Sequence, residues 1–315
     1  MDDLGNALVS GGPDVRMLGG GQPAHIPEVN ALWRRRLEEI MASPGGLEKM
    51  LSNYDPPRGN PLFLDSIAAL FRKNFGWDIS AKNIAITAGG QTAFFFLFNA
   101  LAGKFKDGSR KKILLPLVPE YIGYANQSVG DDIFCACKPL IQKIGDHDFK
   151  YRVDFENLRV DDDIAAICVS RPTNPTGNVL TDNEISHLSD LAEKHDIPLI
   201  IDNAYGAPFP NIIFTEATPV WNKHTILTLS LSKIGLPGTR TGIVIASEEI
   251  ASAVSSMSAI VGLANGNIGQ AIMEPLIRSG EILKLSSEVV RPYYVEKSRQ
   301  ARAWVAEEFD AELPY

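Results

Sequence analysis

Short runs rich in Ile, Val and Leu recur along this 315-residue chain, and helical patterns fill the stretches between them. The runs at 84–87, 113–118, 165–170, 198–201, 226–231 and 242–246 are the expected strands. Strands separated by helices are joined by crossovers that return the chain parallel to itself. The alternation therefore predicts an α/β fold, a mostly parallel sheet sandwiched by helices. The intervening patterns carry their own punctuation. Leu64, Ile67, Ala68, Phe71 and Phe75 share one helical face, and Gly76 stands where a C-terminal cap falls. Thr181 followed by Glu184 is a capping box, opening a helix with Ile185, Leu188 and Leu191 on one side. The Phe-rich stretch 93–101 reads as a buried helix, far shorter than the roughly 18 apolar residues of a membrane span. From about Ser286 onward the pattern is one long helix.

At roughly 150 residues per domain, the length suits two domains or one large unit with an appendage. A composition of 45% hydrophobic and 22% charged residues excludes a largely disordered or fibrous chain. The net charge of -8 argues against a surface built to grip a phosphate backbone, so no nucleic-acid partner is expected. Arg34, Arg35 and Arg36 are a local exception, read with Leu32, Leu37 and Ile40 as the solvated face of a helix. Cys135, Cys137 and Cys168 are too few for a disulfide framework. Cys135 and Cys137 alternate as in a strand, with no further ligand nearby to complete a metal site. A reducing cytoplasm is the expected compartment, with no membrane partner.

In an open α/β sheet, ligands bind beyond the carboxyl ends of the strands, so the residues after each run are the informative ones. After 87 come Gly89, Gly90, Gln91 and a helix start, whose free N–H groups can face an anion. Taken alone, such a glycine turn is equally a tight connection. After 170 comes RPTNPTGN, where two prolines and a glycine force a rigid course and set Asn174 at the sheet edge; a plain turn is the alternative. Asp202 follows the next run, with Tyr205 close behind. An Asp in that place is either a helix cap or a buried carboxylate that needs a cation. The run ending at 231 leads to Lys233, flanked by Ser230 and Arg240. A lone lysine is ordinarily a surface residue.

Together these sites change the reading: a glycine turn for a phosphate, an Asp for a ring nitrogen, a Tyr for a phenolic oxygen and a Lys for an aldehyde are the parts that hold pyridoxal phosphate. The stretches VSRPTNPTGN, IDNAYG and SLSKIGLPGTRTG resemble those of the fold-type-I aminotransferases, and the similarity runs from about 18 to 315. The resemblance implies pyridoxal 5′-phosphate as cofactor. Lys233 is then the catalytic residue that carries the cofactor through its aldehyde and moves the proton at the substrate α-carbon. Asp202 keeps the ring nitrogen protonated, which makes the ring an electron sink. Tyr205 and Asn174 hydrogen-bond the ring oxygen, and Tyr121 stacks on the ring face. Gly90 and Gln91 through N–H groups, Ser230 through its hydroxyl and Arg240 through its guanidinium hold the phosphate. Tyr54, in NYDPPRGN, reaches the phosphate of a neighbouring subunit, so the implied active form is a homodimer. Gly21 and Asn174 approach the substrate carboxylate. Cis peptide bonds are implied at Val118-Pro119 and Asn174-Pro175.

The fuller strings LGGGQPAHIPE and PEYIGYANQ narrow the implied reaction to amino transfer between a small aliphatic amino acid, valine or alanine, and a 2-oxo acid, pyruvate or 3-methyl-2-oxobutanoate. The implied layout is a substrate-covering part of a small domain over 1–50, a cofactor-binding large domain over 51–285 and the start of the small C-terminal domain over 286–315. Family members continue past a point like Tyr315 and there supply an arginine for the substrate carboxylate, whereas no Arg follows Arg302 here. The expectation is a piece of the enzyme with its cofactor half complete and an apolar helix face uncovered after Ser286. A carbon-sulfur lyase, a transaminase of other specificity and an inactive cofactor-binding fragment are the alternatives on the same scaffold. A non-catalytic regulator module is disfavoured by the presence of Lys233.

Overall fold

The computed structural model describes residues 21–145 and 148–308; the first twenty residues of the 1–50 segment and the last seven of 286–315 lie outside the described residues. The chain enters through helices α1 (Pro27–Ala42), α2 (Gly46–Leu51) and α3 (Pro61–Phe75), then strand β1 (Ile84–Thr87) and helix α4 (Gly90–Leu101). Strands β2 (Gly103–Lys104), β3 (Arg110–Leu115) and β4 (Phe134–Ala136) follow, with an outlying hairpin of β5 (Leu140–Ile144) and β6 (Asp148–Arg152). The centre is built from β7 (Ile164–Ser170), α5 (Asp182–Lys194), β8 (Leu199–Asp202), β9 (Thr225–Ser230) and β10 (Gly242–Ile245). Helices α6 (Glu248–Gly262), α7 (Ile268–Ser279), α8 (Glu281–Lys284) and α9 (Arg291–Glu308) close the described chain.

The main sheet runs β1-β10-β9-β8-β7-β3-β2, with β4 also paired to β3. Pairings β3–β4, β3–β7, β7–β8 and β8–β9 are parallel, while β1 and β10 join antiparallel at one edge. Side chains alternate between two apolar layers, as a sheet covered on both faces requires. Leu199, Ile201, Leu227 and Leu229 enter one layer with Leu64 and Phe71, and Ile200, Ile226 and Val244 enter the other with Phe94 and Phe98. Each such buried side chain contributes about 1.5–3 kcal/mol.

The local signals are visible where they were expected. Asn60 accepts hydrogen bonds from Leu62 N and Phe63 N to open α3, and Gly76, at φ 68°, ends it. Thr181 and Glu184 form the capping box of α5. In α4, Phe94, Phe96, Leu97 and Phe98 are buried. The strand expected at 113–118 instead ends at Leu115, because Pro116 has no N–H to give the ladder. It also begins earlier, at Arg110. Asp202 is the last residue of β8 rather than the first one after it. Arg36 departs from the solvated face shared by Arg34 and Arg35: its side chain is 14% exposed and its Nε donates to Ile272 O at 3.3 Å.

The final helical run is continuous from Glu281 through a π-helical turn, Leu285–Val290, into α9. No residue of α9 is buried, and the apolar face expected there amounts to Val295, Trp304 and Val305 among exposed polar side chains. The two ends of the described chain meet where Ala24 N donates to Tyr294 Oη at 2.8 Å. Val118-Pro119 and Asn174-Pro175 are cis, and so are Arg171-Pro172, Ala207-Pro208 and Phe209-Pro210, which the sequence did not suggest. Cys135, Cys137 and Cys168 are unpaired. Among the described residues, no helix is long and apolar enough to cross a membrane.

Candidate active site

Strand register brings distant residues to one edge of the sheet. Ser170 pairs with Asp202, Asp202 with Thr228, Ser230 with Gly242, and Gly242 with Thr87. The carboxyl ends of β7, β8, β9 and β1 therefore open side by side, and the loops that follow them surround a cavity of about 340 Å³. Gly21, Gly90, Gln91, Tyr121, Asn174, Asp202, Tyr205, Ser230, Lys233 and Arg240 all line it. Of the expected site residues, Tyr54 alone is elsewhere, 82% exposed on the segment between α2 and α3.

One end of the cavity is shaped for an anion. Helix α4 begins there with Gly90 and Gln91, so its first N–H groups have no helical partners. Ser230 Oγ donates to Ser232 Oγ at 3.0 Å, and Arg240 Nη1 lies 3.4 Å from Ser232 Oγ and 3.2 Å from Pro237 O. Arg240 itself takes the left-handed conformation, φ 47°. Gly89 has to be glycine: its φ is 90°, and a Cβ there would sit 2.1 Å from Arg240 Nη2.

At the far end lies a carboxylate. Asp202 is buried, with Oδ2 accepting from Tyr124 Oη at 2.7 Å and Oδ1 from Ala204 N at 3.0 Å. Burial pushes its pKa up, against the lowering effect of those two hydrogen bonds and of Lys233. Tyr124 stands upright beneath the site, its ring edge-on to Tyr121 at 5.5 Å between centroids and 4.8 Å from Phe94. The turn that presents Asn174 is fixed by Arg171. That buried guanidinium donates to Leu180 O at 2.7 Å and Thr218 O at 2.9 Å and pairs with Asp182.

Between the two ends sits Lys233. Its Nζ donates to Gly21 O and lies 5.2 Å from the centroid of the Tyr205 ring. A Cβ on Gly21 would come within 2.9 Å of that Nζ, which explains the close backbone approach. Burial, with Arg240 adding to it, lowers the Lys233 pKa against the pull of Asp202. The amine is thereby moved toward its neutral, nucleophilic form. Asn174 hydrogen-bonds the Tyr205 hydroxyl, whose pKa is raised by burial.

Three neighbours of the site were not read from the sequence: Tyr124, which bonds Asp202, Ser232, which bonds Ser230, and Glu120, which bonds Ser170. Tyr124 carries a legible signal, since it stands three residues after Tyr121 in the short 3-10 segment Ile122–Asn126. Ser232 is adjacent to Lys233. Glu120 has no such signal, because a glutamate after Pro119 reads as a surface residue.

Comparison with known proteins agrees with this geometry. The family model described as aminotransferase class I and II matches residues 29–314. Valine-pyruvate aminotransferase of Escherichia coli K12 is 48% identical over 303 residues, 96% of this chain and 72% of that protein. A crystal structure of a putative amino-acid aminotransferase from Psychrobacter arcticum superposes with a TM-score of 0.93 at 45% identity, over 98% of this chain and 74% of that one. The valine-pyruvate aminotransferase structure from Salmonella typhimurium gives 0.90 at 46% identity, over 99% and 77%. A match over nearly all of the chain, at these identities, leaves one conclusion: the chain belongs to the class I and II aminotransferases.

Proposed function

We propose that the cavity holds pyridoxal 5′-phosphate and that the chain transfers an amino group between a small aliphatic amino acid, valine or alanine, and a 2-oxo acid, pyruvate or 3-methyl-2-oxobutanoate. The observation that carries this reading is Lys233, a partly buried amine of lowered basicity set between an anion cradle and a buried carboxylate. Two features fit the cofactor in particular. Asp202 is buried with its pKa raised and, among the described residues, makes no ion pair, a partner that a protonated ring nitrogen would supply. Gly89 leaves room for Arg240 beside the start of α4, where a phosphate dianion is held by a guanidinium, N–H groups and Ser230 together.

When bound, the cofactor supplies an aldehyde for amino-group exchange and a ring that takes up electron density from the substrate α-carbon. The protein does the rest. Lys233 Nζ would hold the cofactor through its aldehyde and would hold and move the proton of the substrate α-carbon. Tyr121 would cover one ring face, and Tyr205 with Asn174 would hold the ring oxygen. Gly21 and Asn174 border the place of the substrate carboxylate. A second cavity, of about 470 Å³, shares Gly21, Asn174 and Tyr205 and is walled by Pro172, Val179, Ile212 and Phe214. Such walls suit an aliphatic side chain.

Incubation with pyridoxal phosphate, L-valine and pyruvate is expected to yield alanine and 3-methyl-2-oxobutanoate in equal amounts. Ammonia release without alanine would sink the reading. Gly89→Ala is expected to weaken pyridoxal phosphate at least about tenfold, or 1.4 kcal/mol, while leaving the affinity for unphosphorylated pyridoxal unchanged. Equal losses for both would show that the cradle does not bind the phosphate.

The active form in this reading is a homodimer. Tyr54 and Leu51 are exposed on a segment tied to 263–267 by Asn267 Nδ2 to Asn53 O and Asn265 Nδ2 to Pro57 O, both 2.8 Å. Ile260, Val261 and Leu263 are also exposed beside it, so the surface offers an apolar face to a second copy. Tyr54 then reaches the partner's phosphate, and Tyr54→Phe should weaken cofactor binding without changing the mass in solution. A monomer by sedimentation would refute this part. Three unpaired thiols support a reducing, cytoplasmic setting.

A further inference from the structure

Behind the ring-stacking Tyr121 lies a carboxyl group to which the proposed chemistry assigns no task. Glu120 is 9% exposed. Its Oε1 accepts from Ser170 N at 2.8 Å, and its Oε2 pairs with Ser170 Oγ and lies 3.3 Å from Tyr121 N. Ser170 ends β7 and is in register with Asp202. One buried side chain thus links the turn bearing Tyr121 to the strand end beside the carboxylate for the ring nitrogen. We propose that Glu120 is a positioning residue for the cofactor ring, one that clamps Tyr121 to the end of β7 and makes the strength of cofactor binding depend on pH through its own charge.

The clamp survives a change of proton. As a carboxylate, Glu120 accepts from both the N–H and the O–H of Ser170; as an acid, it still accepts from the N–H and donates to Oγ. Burial, helped by the charge of Asp202 and opposed by the Ser170 bonds, raises its pKa to about 7. The ionisable groups that face it are Asp202 on β8, Cys168 on β7 and Tyr124 on its own turn, and Lys233 in turn faces Asp202. Tyr124 and Cys168 are both pushed upward by burial, so they stay neutral while Glu120 titrates. An ionised Glu120 then adds a second negative charge near the cationic ring nitrogen held by Asp202, and the grip tightens as pH rises through neutrality.

This inference rests on the pyridoxal phosphate reading. Its test is the dissociation constant of pyridoxal phosphate, from visible absorbance, for the parent chain and Glu120→Gln at pH 6 and pH 8. Gln keeps both Ser170 bonds without the charge and loses only the long bond from Tyr121 N, and ionisations not coupled to Glu120 cancel in the ratio of the two constants. The ratio is expected to be near one at pH 6 and about tenfold against Gln at pH 8. Glu120→Ala, which removes the clamp, should bind more weakly at both. A ratio that does not change with pH overturns the inference while leaving the reading in place. A parent chain that takes up no cofactor at either pH overturns both.

Discussion

Lys233→Ala is expected to abolish the visible absorbance of bound pyridoxal phosphate and to lower the transamination rate by at least about four orders of magnitude, since in the proposed function one amine serves as both nucleophile and proton carrier. Position supports the size of this effect. Lys233 Nζ reaches across the cavity to Gly21 O and sits near the Tyr205 ring. The next cation, Arg240, is held at the anion end. Lys233→Arg tests the same point without removing the charge, because a guanidinium does not deprotonate to a nucleophile in proteins. Spectra of both variants with pyridoxal phosphate, before and after L-valine, are the measurement. A persisting band with a different lysine modified would move the assignment elsewhere.

Asp202→Asn should give the second large effect, in two measurements of opposite direction. With cofactor, the first half-reaction is expected to slow by at least about a hundredfold, roughly 2.7 kcal/mol of barrier, because an amide does not hold the ring nitrogen protonated. Without cofactor, the variant should be the more stable chain at pH 8. The buried Asp202 has its pKa raised above 3.8, so its folded form binds more protons than its unfolded form above that value. Stability from this group is therefore full below pH 3.8 and is lost as pH rises through the folded value. Asn carries no such penalty, and its amide accepts from Ala204 N and donates to Tyr124 Oη, whose own O–H is left with Cys168 Sγ as acceptor. Denaturant midpoints of the cofactor-free parent and variant should lie close together at pH 4 and separate at pH 8. A parent more stable than the variant at pH 8 would mean that Asp202 is paired with a cation even in the empty site.

These two predictions come from residues that the sequence singled out, but their environment came from the fold. Lys233 and Asp202 were legible because each follows an apolar strand, the place where an open α/β sheet binds its ligands. Tyr124, which bonds Asp202, and Ser232, which bonds Ser230, were not read. The Ser230–Ser232 bond is local, but Tyr124 reaches Asp202 only because β3, β7 and β8 are neighbours, and strand order in a sheet with crossovers is not written in local periodicity. Arg36 shows the same limit on a helix: three consecutive arginines look alike in sequence, and only the approach of Ile272 O distinguishes the third.

What the sequence determined by itself was local. Apolar runs bounded by breakers gave the central strands to within a few residues, the largest shifts falling at the two ends of β3, which begins at Arg110 and stops before Pro116. Gly76 and the Thr181 and Glu184 box gave helix ends, since caps depend only on residues within one turn. The short exposed hairpin β5–β6 had no such signal, because β5 buries neither face and so has no required alternation. What only the tertiary structure decided was the electrostatics. Glu120 follows a proline and Asp202 ends an apolar strand, yet burial raises one to about 7 and shifts the other upward. Burial is set by everything that packs around a group, from strands tens of residues apart, and it is burial that turns an ordinary acid into one whose proton matters near neutral pH.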